Sequence, residues 1–155
     1  MADLNEMYNS KLLELAADIP HSQRLPHPDA TATAHSKLCG STVSIDLDMA
    51  GDEVTGYGQT VKACLLGQAT SSIVGAHIIG ARADELRDAA TAMRRMLKEN
   101  GAPPTGRFAD LAILEPVRHY KARHGSVMLV FDAIERAMAE IEGKRAGATP
   151  DAARA

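Results

Sequence analysis

Val43-Ser44-Ile45-Asp46-Leu47-Asp48-Met49 is the stretch on which the fold turns. Apolar Val43, Ile45, Leu47 and Met49 alternate with polar Ser44, Asp46 and Asp48, the period of a strand with one buried and one wet face. Ala50-Gly51-Asp52 turns the chain, and residues 53–61 read as the returning strand of a hairpin. Gly56 and Gly58 weaken that second strand or admit a bulge. Upstream, Thr31-Ala32-Thr33-Ala34-His35 has modest strand character. Before it, Pro20, Pro26 and Pro28 mark residues 20–29 as an irregular, extended link.

Helical periods flank this β region. Leu4, Tyr8, Leu12, Leu15 and Ile19 predict an amphipathic helix over 4–18, ended by Pro20. Cys64 to about Ile79 reads as a helix rich in small residues, among them Gly67, Ala69, Thr70, Ser71, Ser72, Gly75 and Ala76. Such a helix is weak alone and must be held by close packing. Gly80 suits its C-terminal cap. A stronger helix covers about 83–99, with Asp84 and Glu85 in its first turn and Arg94, Arg95 and Lys98 near its end, as the helix dipole favours. Asn100-Gly101 stops it. Residues 107–115 predict a short helix ended by Pro116, and Val127, Val130, Ile134, Met138 and Ile141 predict a last helix over about 126–142. From Gly143 the periodicity is lost, so we expect a domain over 1–142 and a disordered tail over 143–155.

The length of 155 residues suits one domain. Aromatics are 3% and Trp is absent, so the core must be built from Leu, Ile, Val, Met and Ala. A net charge of −3 offers no footprint for nucleic acid. No apolar run approaches the roughly 20 residues that span a bilayer, and the start of the chain lacks the basic and apolar stretches of a signal peptide. We therefore expect a cytoplasmic protein with no membrane partner. In that compartment its two cysteines are thiols or ligands rather than a structural disulfide.

Those cysteines sit in distinctive settings. Cys39 lies in Ser36-Lys37-Leu38-Cys39-Gly40-Ser41, at the end of an extended segment. Cys64 opens Cys64-Leu65-Leu66-Gly67-Gln68-Ala69-Thr70-Ser71-Ser72, at the start of a helix, where free N–H groups and the dipole stabilise a thiolate. Such sulfur suits metal ligation or nucleophilic chemistry. Taken alone, two isolated cysteines are more often buried apolar residues. No Gly-x-Ser-x-Gly elbow, phosphate loop or dinucleotide glycine pattern offers another chemistry.

The order of these segments resembles the iron–sulfur cluster assembly scaffold family of the IscU, SufU and NifU N-terminal type, from about Leu4 to Ile141. The family's first segment, Asn-Pro-x-Cys-Gly-Asp, is Ser36-Lys37-Leu38-Cys39-Gly40-Ser41 here. Its second, Gly-x-Gly-Cys-Ala-Ile-Ser-x-Ala-Ser-Ala-Ser, is Val61-Lys62-Ala63-Cys64 followed by Leu65 to Ser72. The stretch around its third cysteine becomes Ala122-Arg123-His124-Gly125-Ser126-Val127-Met128-Leu129. Ser126 thus replaces the third cysteine, Ser41 the aspartate, and Gly125 the neighbouring His or Lys.

The resemblance implies an α+β fold, a small antiparallel sheet of about three strands with helices on one face. It implies a carrier, not an enzyme, that holds a labile [2Fe–2S] cluster or its precursors through Cys39 and Cys64, with His124 as an optional third metal ligand. A cysteine desulfurase and apo iron–sulfur proteins are the implied partners. A [2Fe–2S] cluster wants four strong ligands, and hydroxyls bind soft metals poorly. Solvent, a small thiol or a homodimer pooling four thiolates would complete the set. Two alternatives remain: a sulfur-accepting desulfurase accessory, zinc-bound or metal-free, and a degenerate adaptor without metal. Beside these roles, Ser126 also reads as an N-cap of the last helix. Arg118 to Arg123 reads as a solvated face able to dock an acidic partner, and His35 as structural or solvated.

Overall fold

The computed structural model describes residues 10–37 and 40–154, with side chains to residue 146. Helix α1 (Ser10–Ala17) leads into β1 (Ala30–His35), β2 (Thr42–Ala50) and β3 (Glu53–Lys62). Helices α2 (Leu65–His77) and α3 (Ala83–Lys98) follow, then a 3-10 segment (Gly106–His119) and α4 (Lys121–Arg154). The expected antiparallel sheet is present, in the order β1-β2-β3. The part of the first predicted helix before Ser10 lies outside the described residues.

Pairing sets the two faces. Ile45 lies opposite Ala32 and Gln59, and Leu47 opposite Ala30 and Tyr57, which puts these residues on the inner face with Val43 and Val61. Helix α4 packs across β1 and β2, while α2 packs against β3, α1 and α4. Val43, Ile45, Leu47, Leu66, Phe131 and Ile134 are among the core residues between these layers. Helix α3 buries Leu86, Ala89, Ala90, Met93, Met96 and Leu97 along one face. It stops at Asn100, which adopts the left-handed φ of 54°.

The outer face departs from expectation at Asp46, which is only 2% exposed. Residues 18–25 run over it as a strap. The Arg24 guanidinium meets Asp46 Oδ2 at 2.6 Å, the Leu25 N–H donates to the same oxygen at 3.1 Å, and Thr31 Oγ1 donates to Oδ1 at 2.7 Å. The strap also covers the free edge of β3, where the Gln59 N–H donates to His21 O at 2.8 Å. Gly58 is what allows this approach: a Cβ there would stand 2.3 Å from Gln23 O. The register shift sits between Asp48 and Met49, which pair with Gly56 and Val54 and leave Thr55 as the extra residue.

Beneath the strap, Gln59 joins the layers. Its Nε2 donates to Pro20 O at 3.0 Å and Ser71 O at 3.1 Å, and its Oε1 accepts from the Tyr57 hydroxyl at 3.1 Å. Burial pushes that phenol well above its usual range. Further along the β3 edge, Val54 N donates to Ala81 O at 2.9 Å.

The last helix begins five residues before the predicted start and runs through the expected boundary at Gly143. Three of its cationic side chains reach carbonyls in and beside the sheet. Arg136 donates to Thr33 O at 2.6 Å, Lys144 to Asp29 O at 2.7 Å, and Arg145 to Gly51 O and Met49 O at 2.6 and 2.9 Å. Among the described residues, no helix is long and apolar enough to cross a membrane.

Candidate functional site

Three chain segments meet at one end of the molecule. The first is the β1–β2 loop. Ser36 N donates to Ser41 O and Gly40 N donates to Ser36 O, both at 2.9 Å, so the loop closes on itself. Gly40 makes the turn with φ of 71°, a value that suits glycine. The register Thr42 to Lys62 places the end of this loop beside the residues that lead to Cys64. Cys39 itself lies outside the described residues.

The second segment is the start of α2. Cys64 is its N-cap, in extended conformation, and its carbonyl accepts the Gln68 N–H at 2.9 Å. The thiol is half-buried against the core and is free of any disulfide. The Cys64 side chain makes no cap hydrogen bond to the first turn.

The third segment is the beginning of α4. Ser126 is 2% exposed, and its Oγ lies 3.0 Å from Cys64 Sγ. It is therefore not an N-cap but an interior helix residue facing the thiol. The contact depends on a close helix crossing at Gly67, where a Cβ would stand 2.7 Å from Ser126 Oγ and 2.8 Å from Ala63 Cβ. Gly125, one residue earlier, faces the loop: a Cβ on it would lie 3.5 Å from Ser36 Oγ. The small-residue pattern after Cys64 thus serves packing. Thr70 satisfies its own hydroxyl by donating to Leu66 O at 2.8 Å.

His124 is placed differently. Two positions along an α-helix are about 200° apart, so His124 faces away from Ser126 and Cys64. Its Nε2 lies 2.9 Å from Val117 O and must donate, because a carbonyl only accepts. Among the described residues, no three His, Cys, Asp or Glu side chains gather as a metal site. Ser41 is buried beside the loop, with its carbonyl on Ser36 N. His35 is exposed and pairs with Thr42 Oγ1 at 3.2 Å.

The ends of the cysteine loop, Cys64 and Ser126 thus meet at one end of the molecule; of the predicted ligands, Cys39 lies outside the described residues and His124 is turned to Val117 O. A crystal structure of the N-terminal part of a NifU-like protein from Brucella abortus matches this chain at 54% identity, over 90% of this chain and 96% of that one, with a TM-score of 0.88. The chain belongs to the NifU-like N-terminal family. The resemblance read from the three cysteine segments is therefore correct, as is the α+β fold. A protein assigned as the iron–sulfur cluster assembly scaffold of the SUF system in Fervidobacterium islandicum shares the NifU-like fold at 15% identity, over 87% and 98% of the two chains, with a TM-score of 0.79. A hypothetical protein shares it at 19% identity, over 86% and 98%, with a TM-score of 0.76. No protein-family profile and no curated protein matches the chain.

The residue that sequence reading undervalued in this NifU-like site is Ser126. Its alignment with the third cysteine was the available signal, and its N-cap chemistry pointed elsewhere.

Proposed function

We propose that this chain is an iron–sulfur cluster assembly scaffold whose cargo is a labile [2Fe–2S] cluster or its iron and sulfur precursors. Cys39 and Cys64 hold it. The observation that carries the reading is the 3.0 Å contact between Cys64 Sγ and Ser126 Oγ, the position of the family's third cysteine. It is supported by membership of the NifU-like family. With His124 turned toward Val117, one chain offers two thiolates, and a cluster wants four. Two copies of the chain supply the set, which gives about one iron and one sulfide per chain.

The residues act as a carrier, without turnover on a small molecule. Cys64 is presented at a helix N-terminus, and the Ser126 hydroxyl donates to its thiolate. A cysteine desulfurase is the sulfur source: the Cys64 thiolate attacks the sulfane sulfur of its persulfide, an S–S bond forms on Cys64, and the desulfurase thiolate leaves. Apo iron–sulfur proteins in the cytoplasm receive the product.

Metal and sulfide content after anaerobic purification tests this reading, on the parent protein and on Cys39→Ser/Cys64→Ser. Iron with matching sulfide, lost in the double variant, is the expected result. Zinc alone would replace the scaffold by a sulfur-accepting accessory. Neither metal, even after reconstitution with iron and sulfide, would leave an adaptor and sink the scaffold.

A further inference from the structure

On the side of α4 turned away from Cys64, the ends of α3 and the 3-10 segment and the start of α4 enclose a cleft of about 620 Å3. Leu97, Lys98, Asn100, Arg118, Lys121 and His124 line it, with Gly125 at its rim. The volume falls in the range of small-molecule sites, about 300–1,000 Å3. Its charge opposes that of the whole chain. From Pro116 to Phe131 the sequence carries Arg118, Lys121 and Arg123 and no Asp or Glu, although the net charge is −3.

The lining has specific hydrogen-bonding needs. Arg118 is braced from behind: its NH2 meets Glu115 Oε1 at 2.9 Å, its Nε donates to Glu115 O, and its NH1 donates to Asn100 Oδ1 at 3.4 Å. That leaves the Asn100 amide N–H groups for a ligand. Lys98 and Lys121 form no ion pair among the described residues, and they stand on two walls of the cleft. His124 is 7% exposed yet lines the cleft. Its Nε2–H is spent on Val117 O, so in the neutral ring Nδ1 is left as the acceptor.

The geometry points to a binding site for a small polycarboxylate that carries a hydroxyl. The carboxylates meet the two ammonium groups and the Arg118 edge as charge-assisted hydrogen bonds. The hydroxyl donates to His124 Nδ1, which accepts in the neutral ring. Two cationic walls call for more than one carboxylate, and a hydroxyl adds the donor that a simple polycarboxylate lacks. This site is separate from the thiols and does not depend on the cargo proposed above.

Citrate, tricarballylate and inorganic phosphate serve as probes. Tricarballylate has the three carboxylates of citrate and lacks its hydroxyl. Calorimetric titration of the metal-free full chain at low ionic strength should show citrate binding, roughly fivefold tighter than tricarballylate for one net hydrogen bond. Lys98→Gln/Lys121→Gln, two exposed positions, should weaken both by about tenfold or more. His124→Phe should abolish the preference and keep tricarballylate binding. Cys64→Ser should leave citrate binding unchanged. No citrate binding at millimolar concentration, or binding indifferent to the lysine variant, overturns the site. Equal affinity for citrate and tricarballylate, or tighter binding of phosphate, overturns the ligand class.

Discussion

Gly67 and Ser126 decide how close the thiol comes to α4. Replacing Gly67 by Ala would gain about 1 kcal/mol of helix propensity, but its Cβ would overlap Ser126 Oγ and Ala63 Cβ, which stand 2.7 and 2.8 Å away. Overpacking of that kind costs about 1–3 kcal/mol, so the clash wins and the urea midpoint of Gly67→Ala should fall. An unchanged or raised midpoint would show that the crossing relaxes freely. Ser126→Cys differs from the parent by one atom in size and softness. It should restore a third thiolate beside Cys64 and slow the loss of iron to a chelator in reconstituted protein. Charge acts at Asp46. Burial pushes its carboxyl up, but hydrogen bonds from Arg24, Thr31 and the Leu25 N–H, with the Arg24 charge, more than offset this and hold it below the usual range. The native state therefore binds that proton less readily than the unfolded chain. The stabilisation is present above the ordinary value of 3.8 and is lost as pH falls below it. Asp46→Asn should lower the unfolding midpoint at pH 7 and remove this part of the acid dependence; a parallel pH profile in the variant would refute the assignment. Asp132 runs the opposite way. Burial raises it despite Arg94, so the native state holds its proton more tightly and gains stability as pH falls through its raised value.

The strap across β2 and β3 shows where elements were legible and where they were not. The hairpin was readable because its period of two is local, and Gly80 and Asn100 ended their helices as their backbone freedom predicts. The buried Asp46 was not readable, because its cover comes from residues 18–25, where prolines and polar residues carry no period. The signal lay in composition: Gly56 and Gly58 share the outer face with Asp48 and Asp46, their register partners. The start of α4 was misplaced for a related reason. Gly125-Ser126 imitates a helix entry, whereas both lie inside the helix and Ser126 meets Cys64. Cys64 and the order of the three segments were legible; the direction of His124 was not, since it depends on where the helix begins. Gly58→Ala tests the strap. Its Cβ cannot coexist with Gln23 O at 2.3 Å, so the strap must lift, and the Gln59 amide, bonded to His21 O, should lose protection from hydrogen exchange. Full protection in that variant would mean that the strap is not what shields the strand.

For the molecule as a whole, the arrangement sets how two copies can meet. An unpaired strand at the border of a sheet is a template on which another chain can grow. Here both borders are occupied by the chain itself. His21 and Ala81 take up backbone groups of β3, while the long cationic side chains Arg136 and Lys144 reach to carbonyls of β1 and of the residue before it. An incoming strand would have to displace these charges before making its first bond. Polymer growth along the hydrogen-bond direction is thereby blocked at each side, and association is left to surfaces built from side chains, the cysteine end included.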